Sequence, residues 1–583
     1  MASLTALFVV LLSNGALPGM ANYSASAFVV EGRIRCLNQT GVSAFALRCE
    51  ALGFPFGYPV LTGGPLVGVG ALLMLIPGVG SGGAYIASSA IWLSIALGAG
   101  YFLVRRLGAG PVVALGTATV YLISPTVLGL HGFGGTFFGF ALLPAYVLVD
   151  LAMGDALKSN GRGRALTVLA ILLAVRVLAL FMDGYSFVAS ALLGGLVWLD
   201  WALRGDDLRR SRRWGGPSMY LLGNLGAVAL YMLHAQANYS RAPLALFRSM
   251  GLDVTTLWLP TRSLWFAKEL GLAVNHSGLW GDGTNANHNY AGITCVVLAA
   301  AYLLLKPSDR RAVVLAAAGV LTLVLSLGPA FKVGEQRPPI SGIPTHASYM
   351  MPEGEAVELP WGGLFTELPG LYSMRATYRW FGVTRMALII LAGLAVAEMI
   401  RRPGLARWTA VVLAAVAVVE LAPDVAARAS VYRENRREIN VVSEQVEPQL
   451  RAVTKPGQRV FFLNYDGSHN DWMVNYLAPA AGLVAYNAGG DKNAALSRAR
   501  WPEEVRALAE ADVAADDLYR SFYSGHVDAV VVPFFHLRHA AYSWPPSIEQ
   551  QLDARMSFDE ILSDERFEVE SQRWFAVVSL GGS

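Results

Sequence analysis

Apolar runs of about 17 to 23 residues recur along this chain up to position 422, each long enough to cross a hydrocarbon core about 30 Å thick as a single helix. Inside lipid, every backbone N–H and C=O has to be satisfied within the segment that carries it, so a series of such runs implies a bundle of helices. Composition agrees. Of 583 residues, 54% are hydrophobic and 15% charged, where an average soluble domain carries about 25% charged residues. The chain reads as a polytopic α-helical membrane protein.

The apolar segments fall near 3–19, 82–104, 109–127, 136–152, 165–182, 185–203, 216–236, 290–305, 312–328, 382–400 and 408–422. These make eleven expected spans. Alternate connections are basic: Arg105 and Arg106; Lys158, Arg162 and Arg164; Arg204, Arg209, Arg210, Arg212 and Arg213; Lys306, Arg310 and Arg311; Arg401, Arg402 and Arg407. The positive-inside rule places this set in the cytoplasm, together with the amino terminus. The large loops at 20–64, 237–289 and 329–381 are then expected outside, as is everything after 422. The first segment lacks a basic start and a clear small-residue cleavage pattern, so it reads as a retained helix. "PLVGVGALLMLIPGVG" (65–80) is apolar but short, rich in Gly and interrupted by Pro77. If it crossed the membrane, every later basic loop would move outside, so a re-entrant or interfacial piece is expected there.

The charge is divided unevenly. From Asp424 onward there are 16 Lys and Arg against 23 Asp and Glu, a net of −7, which leaves the preceding part at +10. Neither half has the basic, aromatic-interleaved stripe of a nucleic-acid binder. Residues 423–583 read as an extracytoplasmic α/β domain attached to a transmembrane domain of 1–422. "RVFFLN" (459–464) and "VDAVVVPFF" (527–535) are strand-like, and "FEVESQRWFAVVSL" suggests two closing strands. "WPEEVRALAEADVAADDLYRSFYSG" has Pro502 near its start, Gly525 at its end and the composition of a helix.

Several residues are candidates for chemistry. Cys36 and Cys49 lie in the loop expected outside, where an oxidising compartment permits a disulfide. The acids of that loop, Glu31 and Glu50, read first as surface or salt-bridged carboxylates, with a base or a metal ligand as the alternative. Arg176 interrupts an apolar run, at a cost of about 2.5–3.5 kcal/mol on insertion scales. Asp183 follows two turns later on nearly the same face. Arg176 either holds an anion and lowers the carboxylate's pKa, or ties helices together. In "GLYSMRATYRWFGVTRM" (370–386), Arg375, Arg379 and Arg385 stand at the expected outer boundary. If that piece is helical, Arg375 and Arg379 share a face and, with Tyr378, offer a bidentate grip on a lipid phosphate. The alternative is side chains that snorkel to headgroups. "NHSGLWGDGTNANHNY" (275–290) presents His276, Asp282 and His288, residue types that suit a divalent cation although their spacing is not diagnostic of one. No metal site is assigned.

A first helix, a large outer loop ending in "GYPVLTGGPL", many spans and an outer α/β tail together resemble the GT-C class of membrane glycosyltransferases, and within it the YfhO-like bacterial membrane proteins. "LPGLYSMRATYRWFGVTRMALIILAGLAVAEM" is the best local match, and "SPTVLGLHGFGG" and "FMDGYSF" also look similar. The resemblance implies transfer of a sugar from a polyprenyl-phosphate donor to a cell-envelope glycan or glycolipid acceptor, on the outer side of the plasma membrane. It also implies an acidic base in the first outer loop and basic residues near the outer boundary for the donor phosphate. The class usually has Asp soon after the first helix, whereas here no Asp precedes Asp150. The acid/base candidates are therefore Asp183, Glu50 and Glu31, and the phosphate candidates Arg176, Arg375, Arg379 and Tyr378. Two other readings stay open: a transporter or flippase of a lipid-linked glycan, and an inactive envelope scaffold.

Overall fold

The computed structural model describes residues 1–40, 47–158, 162–203, 210–235, 241–339, 347–465, 471–489, 497–510 and 513–582. Of the basic connections, Arg204 and Arg209 and the side chains of Lys158, Arg162, Arg210, Arg212 and Arg213 lie outside this description. Two compact units emerge. The first comprises Met1–Asn14 and Ala90–Ala429, and the second Gly15–Ser89 and Ser430–Ser583.

Each of the eleven apolar segments carries helix. In chain order these are Ala2–Ser13, Ser81–Arg106, Pro111–Leu122 continued by Pro125–Leu128, Gly134–Ala141 with Leu143–Lys158, Arg162–Met182, Gly184–Leu203, Arg210–Ala235, Ile293–Leu305, Arg310–Ser326, Phe381–Ile400 and Leu405–Leu421. The chain is a multi-pass helical membrane protein. Among the described residues, five helices are long and apolar enough to cross a bilayer, or six if the pair bent by 42° at Leu142 counts as one span. The count differs from eleven because several helices end early. Ala2–Ser13 and Ile293–Leu305 have 12 and 13 residues, only about 18–20 Å of helix.

Phe381–Ile400 is central to the first unit, and small residues make its position possible. A Cβ on Gly382 would overlap the Phe140 ring, one on Gly393 would overlap Thr117, and Gly319 of the neighbouring helix faces Ala387. Such residues let helix backbones approach in lipid, where packing and interhelical hydrogen bonds replace the hydrophobic drive. Thr322 and Thr384 add one such bond, Oγ1 to Oγ1 at 3.0 Å. Lys332, fully buried, donates through Nζ to the carbonyls of Arg248, Ser249 and Gly251 at 2.6–2.8 Å, so a cation closes the carboxyl end of helix Leu244–Ser249.

The second unit contains a five-stranded sheet: β1 (Arg459–Phe462), β2 (Val484–Ala485), β3 (Ala529–Pro533), β4 (Phe567–Ser571) and β5 (Phe575–Leu580), in the order β2-β1-β3-β5-β4. β2, β1 and β3 run parallel, and β5 pairs antiparallel with both β3 and β4. Every residue of β3 is buried, as expected of a strand covered on both faces. The stretch expected as one helix from 502 forms two, Glu503–Ala507 and Ala515–Tyr523.

Residues 15–89 cluster with the carboxyl-terminal part, so the division differs from a boundary at 423. Helix Ser24–Gln39 buries Phe28, Ile34, Cys36 and Leu37, and Gly32 meets the backbone of Asn475 so closely that no Cβ fits. Phe54 N–H donates to Ala485 C=O at 3.1 Å and Ala485 N–H to Ala51 C=O at 2.9 Å, which extends the edge of β2. A disulfide joins Cys36 to Cys49, with Cα atoms 5.6 Å apart. The apolar 65–80 piece forms a ten-residue helix, Gly64–Leu73, about 15 Å long and too short to span.

Candidate functional site

Arg379 lies where four chain segments of the first unit converge. Its guanidinium carbon stands 4.0 Å from the Phe133 ring centre, 4.7 Å from Tyr185 and 5.7 Å from Tyr378. All are within cation–π range. Nε makes a long hydrogen bond of 3.5 Å to the Tyr378 hydroxyl, which itself donates to Asp282 Oδ2 at 3.1 Å. No protein acceptor meets the two terminal nitrogens among the described residues. Rings hold this cation, and its bidentate fork stays free.

Local sequence explains the arrangement. Thr377–Trp380 is a short 3₁₀ turn leading into helix Phe381–Ile400. The backbone between Ser373 and Thr377 is not helical, so Arg375 and Arg379 do not form the expected i, i+4 pair. Arg375 is half-buried and within electrostatic reach of Tyr185. The Tyr185 hydroxyl accepts from Ala376 N–H at 3.0 Å, pinning this segment.

Asp183 belongs to the same cluster, within the field of Arg379. Its Oδ2 accepts from Ser186 N–H at 2.7 Å and its Oδ1 from Thr136 Oγ1 at 2.8 Å. The first of these is the N-cap bond of helix Gly184–Leu203. Burial pushes the Asp183 carboxyl above its ordinary range, against the pull of these donors and Arg379. Gly139 leaves the space for Ser186 and Asp183 to pack so near helix Gly134–Ala141.

Arg176 is not the cation beneath Asp183. It is fully buried, and its Nη2 binds both oxygens of Asp150 at 2.5–2.6 Å. Nη1 donates to Ser190 Oγ at 3.0 Å, Trp198 Nε1 donates to Asp150 at 3.3 Å, and the Tyr220 ring lies 4.9 Å from the guanidinium. Of the two readings offered by sequence, the tie between helices is the one the geometry supports. A phosphate has no approach to it.

The first-loop acids belong to the second unit. Glu31, 2% exposed, pairs with Arg436 at 2.7 Å, so it acts as a structural counter-charge. Glu50 stands exposed in the turn after Cys49.

The 275–290 loop separates its three candidates. His276 Nε2 lies 3.2 Å from Leu259 C=O. Asp282 accepts from Thr284 N–H at 3.0 Å and from Tyr378. The His288 Nδ1–H donates to Thr126 C=O at 3.0 Å, which leaves the lone pair on a buried Nε2 with no partner among the described residues. Burial, then the charges of Arg385 and Arg379, depress the His288 pKa to about 3, so the ring is neutral at physiological pH. Among the described residues, no three metal-ligating side chains converge. Asp282 and His288 were visible in sequence only as ligand types. Their place beside Arg379 depends on contacts with residues about 90 or more positions away.

No family model matches this sequence, and no curated protein matches it. Similar solved structures are archaeal oligosaccharyltransferases. One is AglB from Archaeoglobus fulgidus in complex with an inhibitory peptide and a dolichol-phosphate, at 13% identity over 91% of this chain and 69% of that one, with a TM-score of 0.44. Another is an A. fulgidus oligosaccharyltransferase in the apo form, at 12% identity, 91% and 69% coverage, and a TM-score of 0.43. A third is an A. fulgidus oligosaccharyltransferase tethered by a disulfide to an acceptor peptide containing the NVT sequon, at 11% identity, 100% and 74% coverage, and a TM-score of 0.45. Likeness at this level gives no residue a role.

Proposed function

We propose that this protein is an integral-membrane glycosyltransferase of GT-C type. It takes a sugar from a polyprenyl-phosphate donor and passes it to a cell-envelope glycan or glycolipid on the outer side of the plasma membrane. The observation that carries this reading is Arg379: a buried guanidinium held by three aromatic rings, with a free fork beside carboxylates. Arginine presents parallel donors that match two phosphate oxygens. Fixed in a site shielded from water, such donors stabilise the charge that develops on a leaving phosphate. Arg375 adds a second positive charge nearby. Arg176, used up by Asp150, is left out of the site.

The test is transfer of label from radiolabelled polyprenyl-phosphate sugars by purified, reconstituted protein. Arg379→Ala is expected to lower turnover by about 10²–10³-fold, the usual cost of losing one preorganised donor. Arg379→Lys should recover only part of it, because a point charge cannot replace the fork. Full turnover in Arg379→Ala, or lipid movement across vesicles without cleavage of a glycosidic bond, would sink the reading.

A further inference from the structure

Of the candidate acids, Glu31 and Asp183 are committed to structural bonds and Glu50 lies in the other unit. Glu31 neutralises Arg436. Asp183 caps a helix and holds Thr136, and is 3% exposed. Glu50 sits in an exposed turn of the second unit. Asp282 differs from these. It is partly exposed, and its Oδ2 touches the Tyr378 hydroxyl that also receives Arg379 Nε.

The backbone is built to present it. Gly281 and Gly283 flank Asp282 at φ of 132° and 79°, conformations that L side chains rarely adopt. A Cβ on Gly281 would also overlap the Asn285 side chain, whose amide donates to Trp280 C=O at 2.9 Å. Glycine reaches these conformations without strain, so the pair sets the turn that holds Asp282 in place. The bland account makes Asp282 an Asx-type turn residue, because Oδ1 accepts from Thr284 N–H. That bond explains one oxygen and leaves unexplained why the other meets the Tyr378–Arg379 pair.

Building on the lipid-phosphate transfer proposed above, we infer that Asp282 is the general base for the acceptor hydroxyl, with Tyr378 as the residue that positions it against Arg379. In the step, the acceptor oxygen forms a bond to the anomeric carbon and its proton passes to an Asp282 oxygen. The bond from the anomeric carbon to the phosphate oxygen breaks, and the electron pair leaves with the polyprenyl phosphate, whose charge Arg379 holds. The products are the glycosylated acceptor, polyprenyl phosphate and a neutral Asp282 that returns its proton to water. No oxidant or reductant is needed, and base and phosphate clamp stay aligned through one tyrosine hydroxyl.

The experiment compares the full-length protein with Asp282→Asn, Asp282→Ala and Tyr378→Phe in the radiolabel assay, alongside binding of unlabelled polyprenyl phosphate. Asp282→Asn should cut kcat by about 10²–10⁴-fold, the usual contribution of a base, and abolish the acid limb of the pH–rate profile. It should bind polyprenyl phosphate several-fold more tightly, since an anion beside the phosphate is gone. Formate should restore part of the turnover to Asp282→Ala, which loss of a purely structural turn would not allow. Tyr378→Phe should lower kcat and shift the pH profile while retaining lipid binding. If wild type transfers sugar and Asp282→Asn does so equally well, the assignment of Asp282 is overturned and the transferase reading stands. If wild type neither transfers sugar nor binds polyprenyl phosphate, both fall. Binding without transfer also overturns both, because no base is then needed.

Discussion

Arg176 and Arg379 are both guanidinium groups buried in a membrane protein, and their neighbours set their roles apart. A carboxylate taking both bonds from Arg176 closes it off, whereas rings around Arg379 leave its donors unspent. Breaking one side of a buried pair usually costs about 3–5 kcal/mol, because the remaining charge is left uncompensated, while replacing both sides by apolar residues can be neutral. Arg176→Met is therefore expected to lower thermal stability strongly in detergent, and Arg176→Met with Asp150→Leu to recover most of it; a double-mutant cycle reads the coupling. His288 supplies a pH test. Its folded pKa of about 3 lies below the ordinary value of 6.5, so the unfolded chain binds the extra proton between those values. Stability from this residue is full above pH 6.5 and declines as pH falls toward 3, by up to about 1.4 kcal/mol per pH unit. Melting curves of wild type should therefore drop more steeply from pH 6.5 to 4.5 than those of His288→Asn.

At the scale of elements, the apolar runs were legible as helices because burial in lipid imposes a composition on every turn. The number of crossings was not legible from the same signal. Whether 12 or 13 apolar residues end at a turn or continue depends on what packs beyond them, as at Asn14, whose side chain caps Val10 C=O at 2.8 Å and reaches Leu122 C=O at 3.2 Å. Helix Phe381–Ile400 was legible as an apolar segment, but its close partners Phe140 and Thr117 were not. Gly382→Ala and Gly393→Ala place a methyl group into occupied space and should each destabilise by about 1–3 kcal/mol, read as a lowered Tm. Gly98→Ala, inside helix Ser81–Arg106 and meeting nothing nearby, is the control. The cap of helix Gly184–Leu203 gives a smaller effect: Asp183→Ala should cost about 0.5–2 kcal/mol, with Asp183→Asn closer to wild type.

For the whole molecule, the second unit joins residues 15–89 to 430–583, and helix Ser24–Gln39 packs on the carboxyl-terminal part, with Gly32 against the Asn475 backbone. Residues 430–583 produced alone should expose the surfaces that helix Ser24–Gln39 and the 51–54 edge cover, and should aggregate or bind hydrophobic dye. Supplying 15–89 in the same cell should restore a soluble, monodisperse species, measured by gel filtration. Recovery of a stable 430–583 fragment by itself would contradict that account. The sequence by itself determined that the chain is a helical membrane protein, where the helices of its apolar runs lie, four of the five strands of the sheet and which residue types were available for chemistry; the short strand Val484–Ala485 and helix Ser24–Gln39 were not among its expectations. The legible part follows from local rules: apolar composition, periodicity and turn residues act over a few positions. Only the tertiary structure decided that Arg176 is spent on Asp150, that Glu31 answers Arg436, and that Asp282, Tyr378 and Arg379 stand together. Those outcomes depend on which distant side chain reaches a charge first, and a buried charge takes its role from the partner that compensates it.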